Sequence, residues 1–201
     1  MTVKEIRKKL KTRLKPARYE HTLGVASTAR HLAQTYDYDE AIAELAGLLH
    51  DCAKYMDDDK KIALCKEYDV PISDAEYKNP SLLHAKCGAI LAANEYQVTN
   101  PDILHAIRVH TTGVPDMNLL DKILFISDYI EPNRDKAPHL KELRKIAEQN
   151  LDLTTYHILK DTVEYLKKHE DQTMDPTTLA ADDYYKNWFE NQNTNQKGIG
   201  E

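Results

Sequence analysis

The chain predicts an all-α fold, built as a single-domain helical bundle. Three observations predict it. Only six glycines occur in 201 residues. No segment alternates Val, Ile or Thr with polar residues in the two-residue period of a strand, and helix-start signals recur along the whole length. At 41% hydrophobic and 30% charged, the chain can bury one substantial core beneath a polar surface.

The elements follow in order. Thr2 and Glu5 have capping-box spacing and start a first helix through about Leu14. Pro16 suits the opening turn of a second, to about Tyr36. Asp39 opens a third, AIAELAGLLHD, that ends in the pair His50-Asp51. Asp57 to Tyr68 reads as a shorter helix and Pro71 to Pro80 as a loop. Ser81 is read as the cap of LLHAKCGAILAANEY. Asn100-Pro101 is a cap followed by proline at the first helical position, and Gly113 follows that helix. Leu119 to Ile130 is the most apolar segment, terminated by Pro132, Asn133 and Arg134. Helices at about Leu140 to Asn150 and Leu153 to Lys168 come next, then a short aromatic one, DDYYKNWF. Residues 1–190 thus form one domain, with a motif core at about 18–134 and C-terminal helices at about 137–190. Residues 191–201 read as a frayed, disordered tail.

Charge and composition exclude several classes. A net charge of -6 rules out binding nucleic acid through a broad basic surface. Phosphate chemistry would then need positive charge placed locally, by a metal or by a few Lys and Arg. No apolar run has the length of a membrane span. The start MTVKEIRKKLKTR lacks the apolar stretch of a secretory signal. Cys52, Cys65 and Cys87 are odd in number and lack CxxC spacing, which favours buried, reduced thiols and the cytoplasm.

Nine histidines sort by their position on each helix. His21 shares a stripe with Val25, Thr28 and Leu32. His84 aligns with Cys87, Gly88 and Leu91, and His110 with Ile103, Ala106 and Ile107. His50 follows Leu45, Ala46 and Leu49, with Asp51 directly after it. Asp128 interrupts ILFISDYI, a segment too apolar for a surface, where an unpaired carboxylate would need a cation. A lone histidine on an apolar face is more often a hydrogen-bonded core residue than a ligand. Here that explanation must be invoked for six residues at once, and metal ions would satisfy them together. His31, His105, His139, His157 and His169 read as surface residues.

These strings resemble the HD superfamily of metal-dependent phosphohydrolases, whose pattern H…HD…D is matched by RYEHTLGV (His21), GLLHDCAK (His50, Asp51) and FISDYIEPNR (Asp128). SLLHAK (His84) and IRVHTTG (His110) match the subset that holds two metals. More narrowly, HTTG and ISDYIEPNR are similar to the YqeK-type symmetrical bis(5'-nucleosyl)-tetraphosphatases, di-iron enzymes that cleave diadenosine tetraphosphate into two ADP. The likeness spans about Arg18 to Arg134. One departure is HDCAK for the frequent HDxGK: Ala53 replaces glycine, so only Lys54 carries over.

The resemblance implies a first metal on His21, His50, Asp51 and Asp128. Asp51 would bridge to a second, completed by His84 and His110, or these two would contact substrate phosphate instead. Iron is the implied ion, although imidazole and carboxylate also suit manganese, zinc or nickel. A metal-bound hydroxide would attack an inner phosphorus, with ADP leaving. Asp51 and Lys54 are the catalytic candidates. Arg18, His84, His110, Thr111, Asp128, Asn133 and Arg134 are the nucleotide-binding candidates. Thr112 would bind phosphate or cap its helix. Tyr184, Tyr185, Trp188 and Phe189 are better read as a packing anchor than as an adenine platform. The partner implied is a small nucleotide, a dinucleoside polyphosphate or its ADP product. Competing readings are another HD nucleotide phosphohydrolase (for a deoxynucleotide, a nucleoside monophosphate or a cyclic dinucleotide), a non-catalytic nucleotide sensor, and an HD-type di-iron oxygenase. Oligomeric state is not encoded in these signals.

Overall fold

The computed structural model describes residues 1–168 and 174–197. Among them the chain forms α1 (Val3–Arg13), α2 (Pro16–Thr35), α3 (Glu40–Leu49), α4 (Asp58–Glu67), α5 (Asp74–Lys78), a 3-10 turn (Pro80–Leu83), α6 (His84–Asn94), α7 (Pro101–Val109), α8 (Leu119–Ile130), α9 (Leu140–Ala147), α10 (Leu151–Lys168) and α11 (Pro176–Lys197). No strand occurs among the described residues, so the all-α expectation holds. No helix among them is long and apolar enough to cross a membrane.

The caps explain the starts. Thr2 accepts from the Glu5 backbone N–H and Glu5 answers in a capping box. Asp39 accepts from Ala41 and Ile42, and Asn100 from Asp102 and Ile103. Asn118 and Asp121 form a second capping box that opens α8. α8 is the central rod: Leu120, Ile123, Leu124, Phe125, Ile126 and Ile130 are all buried, and it packs against α2, α3, α7, α9 and α10. α2 and α3 share the most extensive packing. Gly47 permits this, because a Cβ there would stand 2.6 Å from Ala26 Cα. That close crossing carries His21 and His50 toward one point.

Three elements depart from the expectations. The segment 71–80 was expected as loop but contains α5, opened by a Ser73–Glu76 capping box. Ser81 lies inside the 3-10 turn rather than capping α6, which begins at His84. The aromatic C-terminal helix is not short. Asp175 accepts from Thr177 N–H, Pro176 opens the helix, and α11 runs 22 residues to Lys197. Asn191–Lys197 is therefore helix, not the frayed tail expected from 191. Extending a helix already anchored by packing adds one hydrogen bond per ordered residue. Residues 198–201 of that tail, and His169, lie outside the described residues.

Tyr185 is buried and its hydroxyl accepts from Met117 N–H at 3.1 Å. Phe189 stacks on Tyr156 with ring centroids 4.4 Å apart. Tyr184 is exposed and donates to Asp116. The aromatic cluster thus anchors α11, as the packing reading expects. Cys52, Cys65 and Cys87 are free and buried.

Candidate metal centre

Three of the four inward histidines sit at element ends and use one local device. His50 is the C-cap of α3 and His110 the C-cap of α7, while His84 follows the 3-10 turn. Carbonyls in the last turn of a helix lack intrahelical partners. Each imidazole fills that need through Nδ1–H, donating to the carbonyl three residues back: Gly47 at 2.7 Å, Ile107 at 2.7 Å and Ser81 at 2.6 Å. The only ring proton of a neutral imidazole is thereby committed, and Nε2 is left as a bare lone pair.

Those lone pairs converge. His50 Nε2 lies 3.3 Å from His21 Nε2. His21 Nε2 is 3.1 Å from Asp128 Oδ1 and 3.9 Å from Asp51 Oδ2, and His50 Nε2 is 3.5 Å from Asp51 Oδ2. On the other side, His84 Nε2 is 3.2 Å from His110 Nε2 and 3.3 Å from Asp51 Oδ1, with His110 Nε2 at 3.8 Å from the same oxygen. Asp51 therefore turns one oxygen to each histidine pair. Donor atoms of His21, His50 and Asp51, of His50, His110 and Asp128, and of Asp51, His84 and His110 each lie within 4.8 Å of one another.

This donor set fits divalent cations. Facing lone pairs repel unless a positive charge lies between them. Metal bonds of about 2.0–2.2 Å place neighbouring ligand atoms roughly 3.0–3.4 Å apart, the spacing of the tightest contacts here. Electrostatics agree. Burial drives His84 down to about 3 and His110 to about 4, so both are neutral lone-pair donors at pH 7. Burial opposes charge on His50, Asp51 and Asp128 as well. The carboxylates outweigh it at His50 and raise its pKa, drawing positive charge to Nε2 in the place a bound cation would fill. The imidazoles outweigh it at Asp51 and Asp128 and hold both well below the usual carboxylate range.

Placed cations surround the cluster. Arg18 Nη1 meets Asp51 Oδ2 at 2.8 Å, and Arg134 Nη2 meets Asp128 Oδ1 at 3.1 Å. Lys54 Nζ lies 3.1 Å from His84 Nδ1, and burial lowers its pKa. Thr111 Oγ1 lies 3.1 Å from His84 Nε2 and 3.2 Å from His110 Nε2. An opening of about 260 Å³ lined by Ala17, Arg18, His21, Glu131 and Arg134 leads to the cluster. Asn133 is exposed, and it reaches this region by donating its backbone N–H to Glu131 Oε2 at 2.7 Å. Thr112 bonds the Gly113 carbonyl at the helix end. His31, His105 and His139 are exposed, each against a carboxylate. His157, expected on the surface, is half-buried between α10 and α11, 6.4 Å from the Phe189 ring.

Two residues escaped the sequence reading. Glu131, 2% exposed, directs Oε1 to His21 Nδ1 at 3.1 Å. An acid directly after the buried end of α8 was the available signal. Arg144 of α9 donates to the carbonyls of Ile130, Glu131 and Arg134 at 2.8, 2.8 and 2.9 Å. It fastens the turn that carries Glu131 and Arg134, and nothing in its helical context marks it.

Known proteins share this architecture. The HD domain family matches residues 18–133. The chain is 41% identical over 172 residues to a protein of Halalkalibacterium halodurans named "Bis(5'-nucleosyl)-tetraphosphatase, symmetrical", covering 86% of this chain and 90% of the relative. It is 36% identical over 187 residues to a Staphylococcus aureus protein of the same name, covering 92% and 95%. A crystal structure of a predicted HD superfamily hydrolase involved in NAD metabolism from Clostridium acetobutylicum superposes with a TM-score of 0.89 at 36% identity, covering 93% of this chain and 98% of that one. On that match over residues 18–133 and those relatives, the chain belongs to the HD domain family.

Proposed function

We propose that this chain hydrolyses diadenosine tetraphosphate symmetrically: water adds across the central anhydride and two ADP leave. The observation that carries the reading is Asp51, buried and turned with one oxygen to His21 and His50 and the other to His84 and His110. A single carboxylate bridging two imidazole pairs suits a two-cation centre. His21, His50, Asp51 and Asp128 would hold one ion, and His84 and His110 with Asp51 the other. The names of relatives at 36–41% identity over most of the chain support the substrate. Iron is the ion we assign, and the donors also suit manganese, zinc or nickel. Bound there, the cations would activate water near neutral pH and offset phosphoryl charge.

The chain's own groups account for the rest. Once Asp51 and Asp128 are ligands, Arg18 and Arg134 are freed for the polyphosphate at the mouth of the cluster, where guanidinium geometry matches phosphate oxygens. Lys54, half-buried beside His84, adds charge where the leaving oxygen develops it. His84, His110 and Thr111 face the same space, with Asp128 and Asn133 at its rim. Cys52, Cys65 and Cys87, free and buried, suit a reducing compartment, and on that ground we place the protein in the cytoplasm.

The test is product analysis. Iron-loaded protein prepared anaerobically and given diadenosine tetraphosphate should release ADP alone. AMP with ATP would contradict symmetric cleavage, and turnover confined to another nucleotide in a panel would reassign the substrate.

A further inference from the structure

We propose that Glu131 is a positioning residue for the metal centre, acting through His21, and that Gly24 is glycine to admit it. His21 differs from the other three inward histidines. It lies within α2 rather than at a helix end, where neighbouring carbonyls are already engaged by the helix ladder, so its Nδ1–H needs an acceptor from elsewhere. Glu131, three residues beyond Asp128, provides one at 3.1 Å.

A carboxylate 2% exposed is costly to keep ionised without partners. Its ion-pair partner among the described residues is His21, and its second oxygen accepts from Asn133 N–H at 2.7 Å. Arg144 holds the Glu131 carbonyl at 2.8 Å, which fixes the turn. Gly24 lies one helical turn after His21. A Cβ there would collide with Glu131 Oε2 and stand 3.2 Å from its Cδ. The carboxylate thus rests against bare backbone of α2, aimed at the ring it orients. The other rings donate to neutral carbonyls. Of the four clustered rings, that of His21 is the one whose Nδ1–H meets a carboxylate, which makes its Nε2 the more basic ligand. The asymmetry belongs to the His21/His50/Asp51/Asp128 set, so removing it should weaken one site and spare the other.

This rests on the metal-centre reading, and binding of Mn²⁺ alone, without substrate, tests it. Glu131→Gln keeps the size, but its amide cannot accept at both contacts. Mn²⁺ titration should show one site weakened by about 10–100-fold and the site on His84 and His110 unchanged. In a His21→Ala background the same substitution should cause no further loss, because the effect passes through that ring. Gly24→Ala, which crowds the carboxylate from the opposite side, should reproduce the weakening and carries the same prediction if E131Q melts below assay temperature. Equal affinity in wild type and both variants overturns the proposal. So does an additive loss in the His21→Ala background, which would mark a purely structural role. Wild type that binds no Mn²⁺ overturns the metal centre itself.

Discussion

At the scale of single residues, the centre depends on where one proton sits on each ring. Nδ1–H is tied to a carbonyl or carboxylate at His21, His50, His84 and His110, so every Nε2 faces inward by necessity. Asp51→Asn removes the charge while keeping the shape. It should abolish turnover and reduce bound metal, read by elemental analysis after desalting, and retained activity would reject the site. Asp51→Ala should do the same. The four histidines and Asp128 were legible because each falls on an otherwise apolar helical stripe, and Asp51 because it directly follows His50 at the end of one. Arg18 and Lys54 were not separable from surface charges by sequence, since their partners, Asp51 and His84, are 33 and 30 residues distant. Glu131 was hidden for the same reason: its meaning lies in α2, 110 residues away in the chain.

At the scale of elements, capping chemistry made helix starts readable; two departures came where a cap was present but overlooked, and the third where Ser81 was taken for a cap that α6 does not use. Ser73–Glu76 and Asp175-Pro176 both carried the signal. Crossings were not readable, because Gly47 looks like any helical glycine until α2 is laid against it. Gly47→Ala should destabilise by about 2 kcal/mol through overpacking against the Ala26 backbone, seen as a lowered midpoint in urea, and an unchanged midpoint would mean α2 and α3 pack differently. The α1–α6 contact gives a pH test. Burial works against charge on Glu95, but hydrogen bonds from Lys9 and Arg13 outweigh it and depress its pKa. A depressed carboxylate stabilises above its unfolded pKa and loses that contribution as pH falls through its lower folded value. Glu95→Gln should therefore cost about 1 kcal/mol or less at pH 7, given the partial exposure. Its melting-temperature deficit should close below about pH 4, and a deficit that persists there would argue against the ion pair.

At the scale of the whole molecule, α8 forms the axis on which α2, α3, α7, α9 and α10 pack, and α11 is held in place through Tyr185 and Phe189. Truncation before Asp182 should lower the melting temperature sharply while leaving nucleotide affinity per folded molecule intact. Lost affinity with unchanged stability would instead make the aromatics a base platform. Six side chains from five segments of the chain would gather around two cations, His50 and Asp51 sharing the end of α3. Anomalous diffraction from crystals of anaerobically prepared, metal-loaded protein tests that arrangement most directly. Two peaks about 3.5–4 Å apart are expected, one beside each oxygen of Asp51, the first also beside His21, His50 and Asp128 and the second beside His84 and His110. No peak there, with metal bound elsewhere or absent, would contradict it.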